Sequence, residues 1–101
     1  MTLTEYKRLI EAFLTHEISA AEFEERYMAA FLAEPGGMDK ELFLILDALF
    51  AAVDCYWPGC APGEETPFEI SEEQLRREAR DALARLEQLA ARQAPPPQSE
   101  D

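Results

Sequence analysis

The chain has 101 residues, a net charge of −12 and a pI of about 4.4. This length suits a single domain, and an apolar content of 48% is ordinary for a globular protein. The negative charge argues against direct binding to nucleic acid or to anionic membranes, because both interactions depend on Lys and Arg. No apolar run reaches the ~18 to 20 residues that span a bilayer, and the N-terminal sequence lacks a signal-peptide layout. We therefore expect a cytoplasmic protein.

Capping-box sequences mark three helix starts, because a Ser or Thr is followed three residues later by Glu or Gln. They are residues 2–5 (TLTE), 19–22 (SAAE) and 71–74 (SEEQ). Two of these starts also carry a hydrophobic staple, in which Ile18 can meet Phe23 and Ile70 can meet Leu75.

Apolar residues at helical spacing predict four helices. Their expected bounds are Leu3 to Thr15, Ala20 to about Ala33, about Asp39 to about Tyr56, and from after Ser71 to Ala94. The third helix has the most apolar residues and is expected to be the most buried. No segment alternates in the manner of a strand, and short links make the first three helices antiparallel neighbours. The sequence predicts an all-α antiparallel four-helix bundle over residues 1–94, followed by a disordered, Pro-rich acidic tail at 95–101.

Acidic residues are concentrated in the 35 residues from Glu41 to Leu75, which contain eight acids and no Lys or Arg. The second half of this stretch includes the link between helices 3 and 4, at about residues 57–70. A link this long in a small domain is more often functional than idle. Basic residues on the other helices can pair with an acid four positions away, as in Glu22–Arg26 and Glu73–Arg77. We therefore expect an unpaired acidic surface suited to a basic partner; the alternative is that it reflects acidic composition alone.

Residues typical of a catalytic or metal site are not grouped in this sequence. The single His, His16, falls at the end of helix 1, and Asp47 and Asp54 are better explained as solvated acids beside a binding surface. Cys55 and Cys60 could close only a small disulfide loop, which the cytosol would reduce, and two thiols do not complete a zinc site. We expect free thiols, no enzyme activity, no cofactor and no metal.

Two aromatic residues, Tyr56 and Trp57, end helix 3 and open the long link. Both types are favoured anchors in protein interfaces because they combine a large apolar area with a polar group. The alternative is that they cap the end of the bundle, which we favour slightly for Tyr56 but not for Trp57.

Three segments, in order, resemble the colicin D-type immunity proteins. They are residues 13–27 at the helix 1–2 junction, residues 49–56 before a proline, and residues 68–76 entering the last helix. The resemblance covers most of residues 9–86, and its order and spacing are more specific than any one segment. It implies a four-helix bundle that blocks the nuclease domain of a toxin. In colicin D that toxin is a tRNase, and its immunity protein fills the basic active-site cleft with acidic side chains that imitate the RNA backbone.

Charge and resemblance together predict an immunity protein that blocks the basic cleft of a tRNase-like toxin, as a monomer in a 1:1 complex. The resemblance points to Asp54 and to acids in the following link, although Trp57, Gly59 and Cys60 stand where colicin D immunity has acids. The expected toxin-binding residues are Asp47, Asp54, Tyr56, Trp57, Glu64, Glu65, Glu69 and Glu72. The alternative function is a helical adaptor that docks through Trp57, Met38 and Phe43 and binds almost independently of salt.

Overall fold

Four helices form the protein in a computed structural model that describes residues 1–93. They are α1 (Leu3–Leu14), α2 (Ala20–Leu32), α3 (Lys40–Cys55) and α4 (Glu72–Gln93). The all-α four-helix prediction is confirmed. The expected ends at Thr15, Ala33 and Tyr56 lie one residue past their helices, where each residue serves as the C-cap. The expected end at Ala94 and the predicted tail at 95–101 lie outside the described residues.

The helix starts follow the capping signals in the sequence. Thr2 and Glu5 form the complete capping box, with the Glu5 amide 3.1 Å from Thr2 Oγ1 and the Thr2 amide 2.8 Å from Glu5 Oε1. Ser19, Asp39 and Ser71 each accept a hydrogen bond from the amide three residues later. Each such cap satisfies a backbone donor that the helix leaves free, which is typically worth ~1 kcal/mol.

Aromatic side chains of α1 and α2 form the centre of the core. The rings of Phe13 and Phe23 stack with their centroids 4.4 Å apart, and Tyr27 lies 5.5 Å beyond Phe23. The buried hydroxyl of Tyr27 donates a 2.7 Å hydrogen bond to the carbonyl oxygen of Leu46, which ties α2 to α3. Burial raises the pKa of Tyr27 far above its ordinary value, so this hydroxyl stays a donor at physiological pH.

Helix α3 is less buried than its sequence predicts. Ile45, Leu46, Leu49 and Val53 are buried, but Phe43 and Leu44 are 43% and 54% exposed. The expectation that this helix is the most buried is wrong, because α4 buries five residues and α1 buries a larger fraction of its length. A continuous apolar run, unlike a single stripe, covers more than the one helix face that the core can accept. The excess apolar surface of α3 faces outward.

Two contacts join the start of one helix to the end of its neighbour. The amino group of Met1 lies 2.8 Å from Glu34, just past α2, and Arg92 near the end of α4 lies 2.6 Å from Glu41 at the start of α3. Such start-to-end contacts are expected when neighbouring helices run in opposite directions. Among residues 1–93, no helix is both long and apolar enough to cross a membrane.

Arg76 joins the start of α4 to the end of α1. Its guanidinium lies 4.3 Å from the centre of the Phe13 ring, donates a 2.7 Å hydrogen bond to the Phe13 carbonyl oxygen and pairs with Glu72 at 2.9 Å. The side chain is only 14% exposed. A largely shielded cation with a ring, a carbonyl and a carboxylate around it stabilises more than an exposed ion pair does.

We predict that Arg76→Ala lowers the free energy of unfolding by about 1.5–3 kcal/mol, because it removes a charged hydrogen bond and a cation–π contact. The matched control is Arg77→Ala, since Arg77 pairs with Glu73 at 2.9 Å but is about half exposed. That change should cost no more than about 0.5 kcal/mol. Urea unfolding measures both, and equal losses would contradict the assigned role of Arg76.

His16 occupies the left-handed position that terminates α1, with φ of 66°. The His16 amide bonds to the Phe13 carbonyl and the Glu17 amide to the Ala12 carbonyl, which is the Schellman arrangement. Glycine is preferred at this position because a side chain is strained there. The backbone of His16 therefore serves to end α1.

We predict that His16→Gly stabilises the protein by up to about 1 kcal/mol, because glycine adopts the left-handed backbone conformation without the steric strain that a side chain causes. His16→Ala keeps that strain and should give no gain. Thermal unfolding of the two variants decides the point, and a destabilised glycine variant would show that the imidazole itself contributes to the fold.

Candidate functional site

The segment between α3 and α4, residues 56–71, is here named the α3–α4 loop. It is closed at its base by backbone pairing, in which the Ile70 amide lies 2.8 Å from the Cys55 carbonyl oxygen and the Trp57 amide 3.1 Å from that of Ile70. This places Tyr56 beside Ile70 in an isolated parallel bridge. Both ends of the loop are therefore fixed on the bundle.

Side chains inside the loop hold its backbone. Glu65 accepts hydrogen bonds on both carboxylate oxygens, from the Gly63 amide at 2.8 Å and from the buried Ser71 hydroxyl. Thr66 Oγ1 accepts from the amides of Phe68 and Glu69, both at 3.1 Å. The loop is thus an ordered unit, although it contains no helix or strand.

Cys55 and Cys60 are both free and both half-buried. The Cys55 thiol contacts the carbonyl oxygen of Pro67 at 3.7 Å, and the Cys60 thiol contacts that of Glu69 at 3.9 Å. Burial and the negative charges of Glu65 and its neighbours raise the pKa of Cys60, which disfavours the reactive thiolate. These contacts agree with the prediction of free thiols.

Four of the eight predicted binding residues are acids exposed to solvent without an ion pair in residues 1–93. Asp54 lies in the last turn of α3, and Glu64 and Glu69 lie in the α3–α4 loop. Asp47 shares the exposed face of α3 with Asp54, about 10 Å away along the helix. All nine Lys and Arg residues belong to the described part of the chain, and the six of them that form ion pairs there pair with other acids. These four carboxylates are available to a cationic partner.

The acidic stretch is, however, not unpaired along its whole length. Glu41 pairs with Arg92 at 2.6 Å, and the predicted site residue Glu72 pairs with Arg76 at 2.9 Å. The expected Glu22–Arg26 and Glu73–Arg77 pairs are present. The pair at Glu41 was missed because the two residues are 51 positions apart, and only the folded bundle brings them together.

The two predicted aromatic residues lie in different environments. Tyr56 is half-buried at the base of the loop, and burial together with the charges of Glu72 and Glu24 raises its pKa. Trp57 is 56% exposed and its indole lies over Gly59. A Cβ at Gly59 would come within 2.8 Å of the indole nitrogen, so only glycine permits this position of the ring without a shift.

Phe68 is a candidate residue that sequence reasoning missed. It is 81% exposed, more than any other large apolar side chain in residues 1–93. Alternation with the buried Ile70 suggests that Phe68 faces inward too, since residues two apart in an extended chain share a side. The turn made by Thr66 breaks that alternation and directs the ring outward.

The surface of the alternative function lies elsewhere in the molecule. Phe31, Met38 and Phe43 line an open apolar pocket of about 440 Å³ where α2 meets α3. This pocket is at the start of α3, whereas the α3–α4 loop follows its end, about 24 Å along the helix. Met38 and Phe43 therefore do not form one surface with Trp57, as an adaptor using all three would require.

The loop surface combines carboxylates, two exposed rings and a half-buried phenol. Such groups can bind cationic and planar groups of a partner. Among residues 1–93 there is no group of three or more His, Cys, Asp or Glu side chains that could hold a metal ion. The protein is thus a small helical domain with a candidate binding surface at one end of α3.

A family model described as bacterial self-protective colicin-like immunity matches residues 1–86. The chain belongs to the bacterial self-protective colicin-like immunity family. The match includes α1 to α3, the α3–α4 loop and most of α4, and it confirms the resemblance found in the sequence. Searches of curated proteins and of solved structures find no match. Membership implies a toxin as partner and an inhibitory rather than a catalytic role.

We predict that the loop loosens at acid pH through Glu65. Hydrogen bonds from the Ser71 hydroxyl and from backbone amides hold the pKa of this carboxyl below its ordinary value of 4.5. Because the folded pKa is the lower one, the contribution of Glu65 is complete above about pH 4.5 and is lost as pH falls through the folded pKa.

The amide resonance of Gly63, which donates to Glu65, measures this directly in an NMR titration. We expect it to shift below about pH 4.5 in the natural protein and to lose that transition in Glu65→Gln. Glu64→Gln is the matched control and should leave the transition in place. A Gly63 signal that does not move in the acid range would disprove the role of Glu65.

Proposed function

We infer that this immunity protein inhibits a nuclease toxin, tRNase-like in type, by filling its basic active-site cleft. Asp54, Glu64 and Glu69 would contact the Lys and Arg residues that otherwise hold the phosphates of the nucleic acid. The observation that carries this proposal is that these exposed carboxylates have no ion pair in residues 1–93, although all nine basic residues are present there.

Electrostatics explain why such a surface suits such a partner. Carboxylates form charge-assisted hydrogen bonds with Lys and Arg that are about twice as strong as neutral ones. A net charge of −12 also attracts a basic domain from a distance and raises the association rate. At physiological salt this attraction is screened beyond about 8 Å. Because the screening weakens attraction at a distance, added salt should lower mainly the association rate constant.

The remaining predicted residues contribute in different ways under this proposal. Asp47 and Trp57 extend the contact surface on either side of Asp54. Tyr56 supports the base of the loop. Glu65 holds the loop through Ser71, and Glu72 holds the start of α4 through Arg76. We further propose that the protein acts in the cytoplasm as a monomer in a 1:1 complex.

The partner is identified by capture from the host on the immobilised protein at low salt, followed by washes of rising salt and mass spectrometry. The proposal expects a toxin with a basic nuclease domain that salt releases. That domain, expressed and purified, is then the ligand for kinetic measurements. A neutral or acidic partner that resists the washes would favour the adaptor instead.

We predict that the triple variant Asp54→Asn, Glu64→Gln, Glu69→Gln associates with the purified toxin domain at least about tenfold more slowly at low salt. Its association rate should also depend less on salt, because fewer charges are left to steer the encounter. Glu65 is kept so that the loop remains held. Stopped-flow association and nuclease inhibition measure the effect.

The matched control removes the same number of charges outside the loop, by Glu25→Gln, Asp81→Asn and Glu87→Gln on α2 and α4. These changes break only exposed pairs of Asp81 and Glu87, which contribute little to stability. The control should associate nearly as fast as the natural protein. Equal slowing of both triples would mean that net charge, rather than this acidic surface, directs binding.

A further inference from the structure

Phe68 stands out because an exposed aromatic ring is attached to a fixed backbone. Its side chain is 81% exposed, yet its amide is bonded to Thr66 Oγ1 at 3.1 Å. The neighbouring carbonyls are also bonded, that of Pro67 to the Cys55 thiol and that of Glu69 to the Thr66 amide at 2.9 Å. An exposed apolar ring on a fixed backbone contributes nothing to the core of this protein.

A fixed backbone favours binding, because the loop has less conformational freedom to lose when a partner docks. Aromatic side chains surrounded by polar groups are the residues that most often dominate the affinity of an interface. Here the ring is followed directly by the exposed acid Glu69, with Glu64 in the same loop. A planar ring and carboxylates in one loop offer the two chemical features of a single-stranded nucleic acid, a base and its phosphates.

Nucleases that act on single-stranded regions hold the base by stacking it on aromatic or guanidinium groups, next to the cations that hold the phosphate. We propose that Phe68 enters this base-stacking subsite of the toxin and takes the place of a nucleobase, while Glu69 and Glu64 meet the adjacent phosphate-binding cations. The inference rests on the proposed function and adds a residue and a subsite to it. Phe68 would determine affinity and the acids the rate of encounter.

The experiment compares Phe68→Ala, Phe68→Leu and Phe68→Trp for binding to the purified toxin domain. Base–aromatic stacking is worth about 10- to 100-fold in affinity, so we expect Phe68→Ala to raise Kd by that factor, mainly through faster dissociation. Phe68→Trp keeps a stacking surface and should bind within about threefold of the natural protein. Phe68→Leu keeps apolar area without a π face and should lose at least about fivefold.

Leu32→Ala is the matched control, because Leu32 is 70% exposed at the end of α2. It should leave Kd, dissociation rate and salt dependence unchanged. None of the Phe68 variants should change the unfolding midpoint, since the ring is almost free of contacts within the chain, and thermal unfolding checks this. A loss of affinity in Phe68→Ala therefore reports on the interface and not on folding.

Two results would overturn the inference while the proposed function stands. One is a Phe68→Ala variant that binds as tightly as the natural protein while the triple acid variant associates slowly. The other is a Phe68→Leu variant equal to the natural protein, which would make Phe68 a plain apolar contact. If instead the triple acid variant binds normally, the proposed function fails and this inference fails with it.

Discussion

The short backbone pairing of Cys55 and Trp57 with Ile70 is the constraint on which the loop part of the candidate surface depends. It brings together the end of α3 and the residue before the Ser71 cap, so the sixteen residues of the α3–α4 loop start and end at one place on the bundle. A loop of this length would otherwise lose conformational entropy whenever it had to adopt one shape. Because of the pairing, this entropy is lost when the protein folds and not when a partner binds.

Some residues that hold the loop also belong to the helical bundle. The Ser71 hydroxyl accepts from the Gln74 amide as the cap of α4 and donates to Glu65 in the loop. Ile70 belongs to the buried core while its amide and carbonyl close the loop. Because the same groups begin α4 and hold the loop, the position of the loop is coupled to the stability of the bundle.

Much of the fold could be predicted from sequence because its determinants are local. The capping residues Thr2, Ser19 and Ser71 act on amides three positions away, and apolar spacing fixes which face of a helix is buried. Local i,i+4 pairs such as Glu73–Arg77 were predicted for the same reason. The family resemblance likewise rested on helix starts and core patterns, which the family match confirms.

The details of the candidate site could not be predicted, because they depend on distant contacts and on turn geometry. From sequence alone Glu64 and Glu65 are equivalent acids, yet the carboxylate of Glu65 accepts hydrogen bonds within the loop. Phe68 follows the pattern of a buried residue until the Thr66 turn is known. The Glu41–Arg92 pair needs α3 and α4 to be side by side.

Pairing, rather than charge alone, decides which acids can serve a partner. A carboxylate such as Glu72 must exchange its contact with Arg76 for a new one, so little is gained when a partner cation replaces the old one. An exposed carboxylate without an ion pair, such as Glu64 or Glu69, gives up only water, and its gain from a charge-assisted bond is larger. Crowding such free acids opposes folding by mutual repulsion. Under the proposed function, the cations of a basic partner would relieve such repulsion when they arrive.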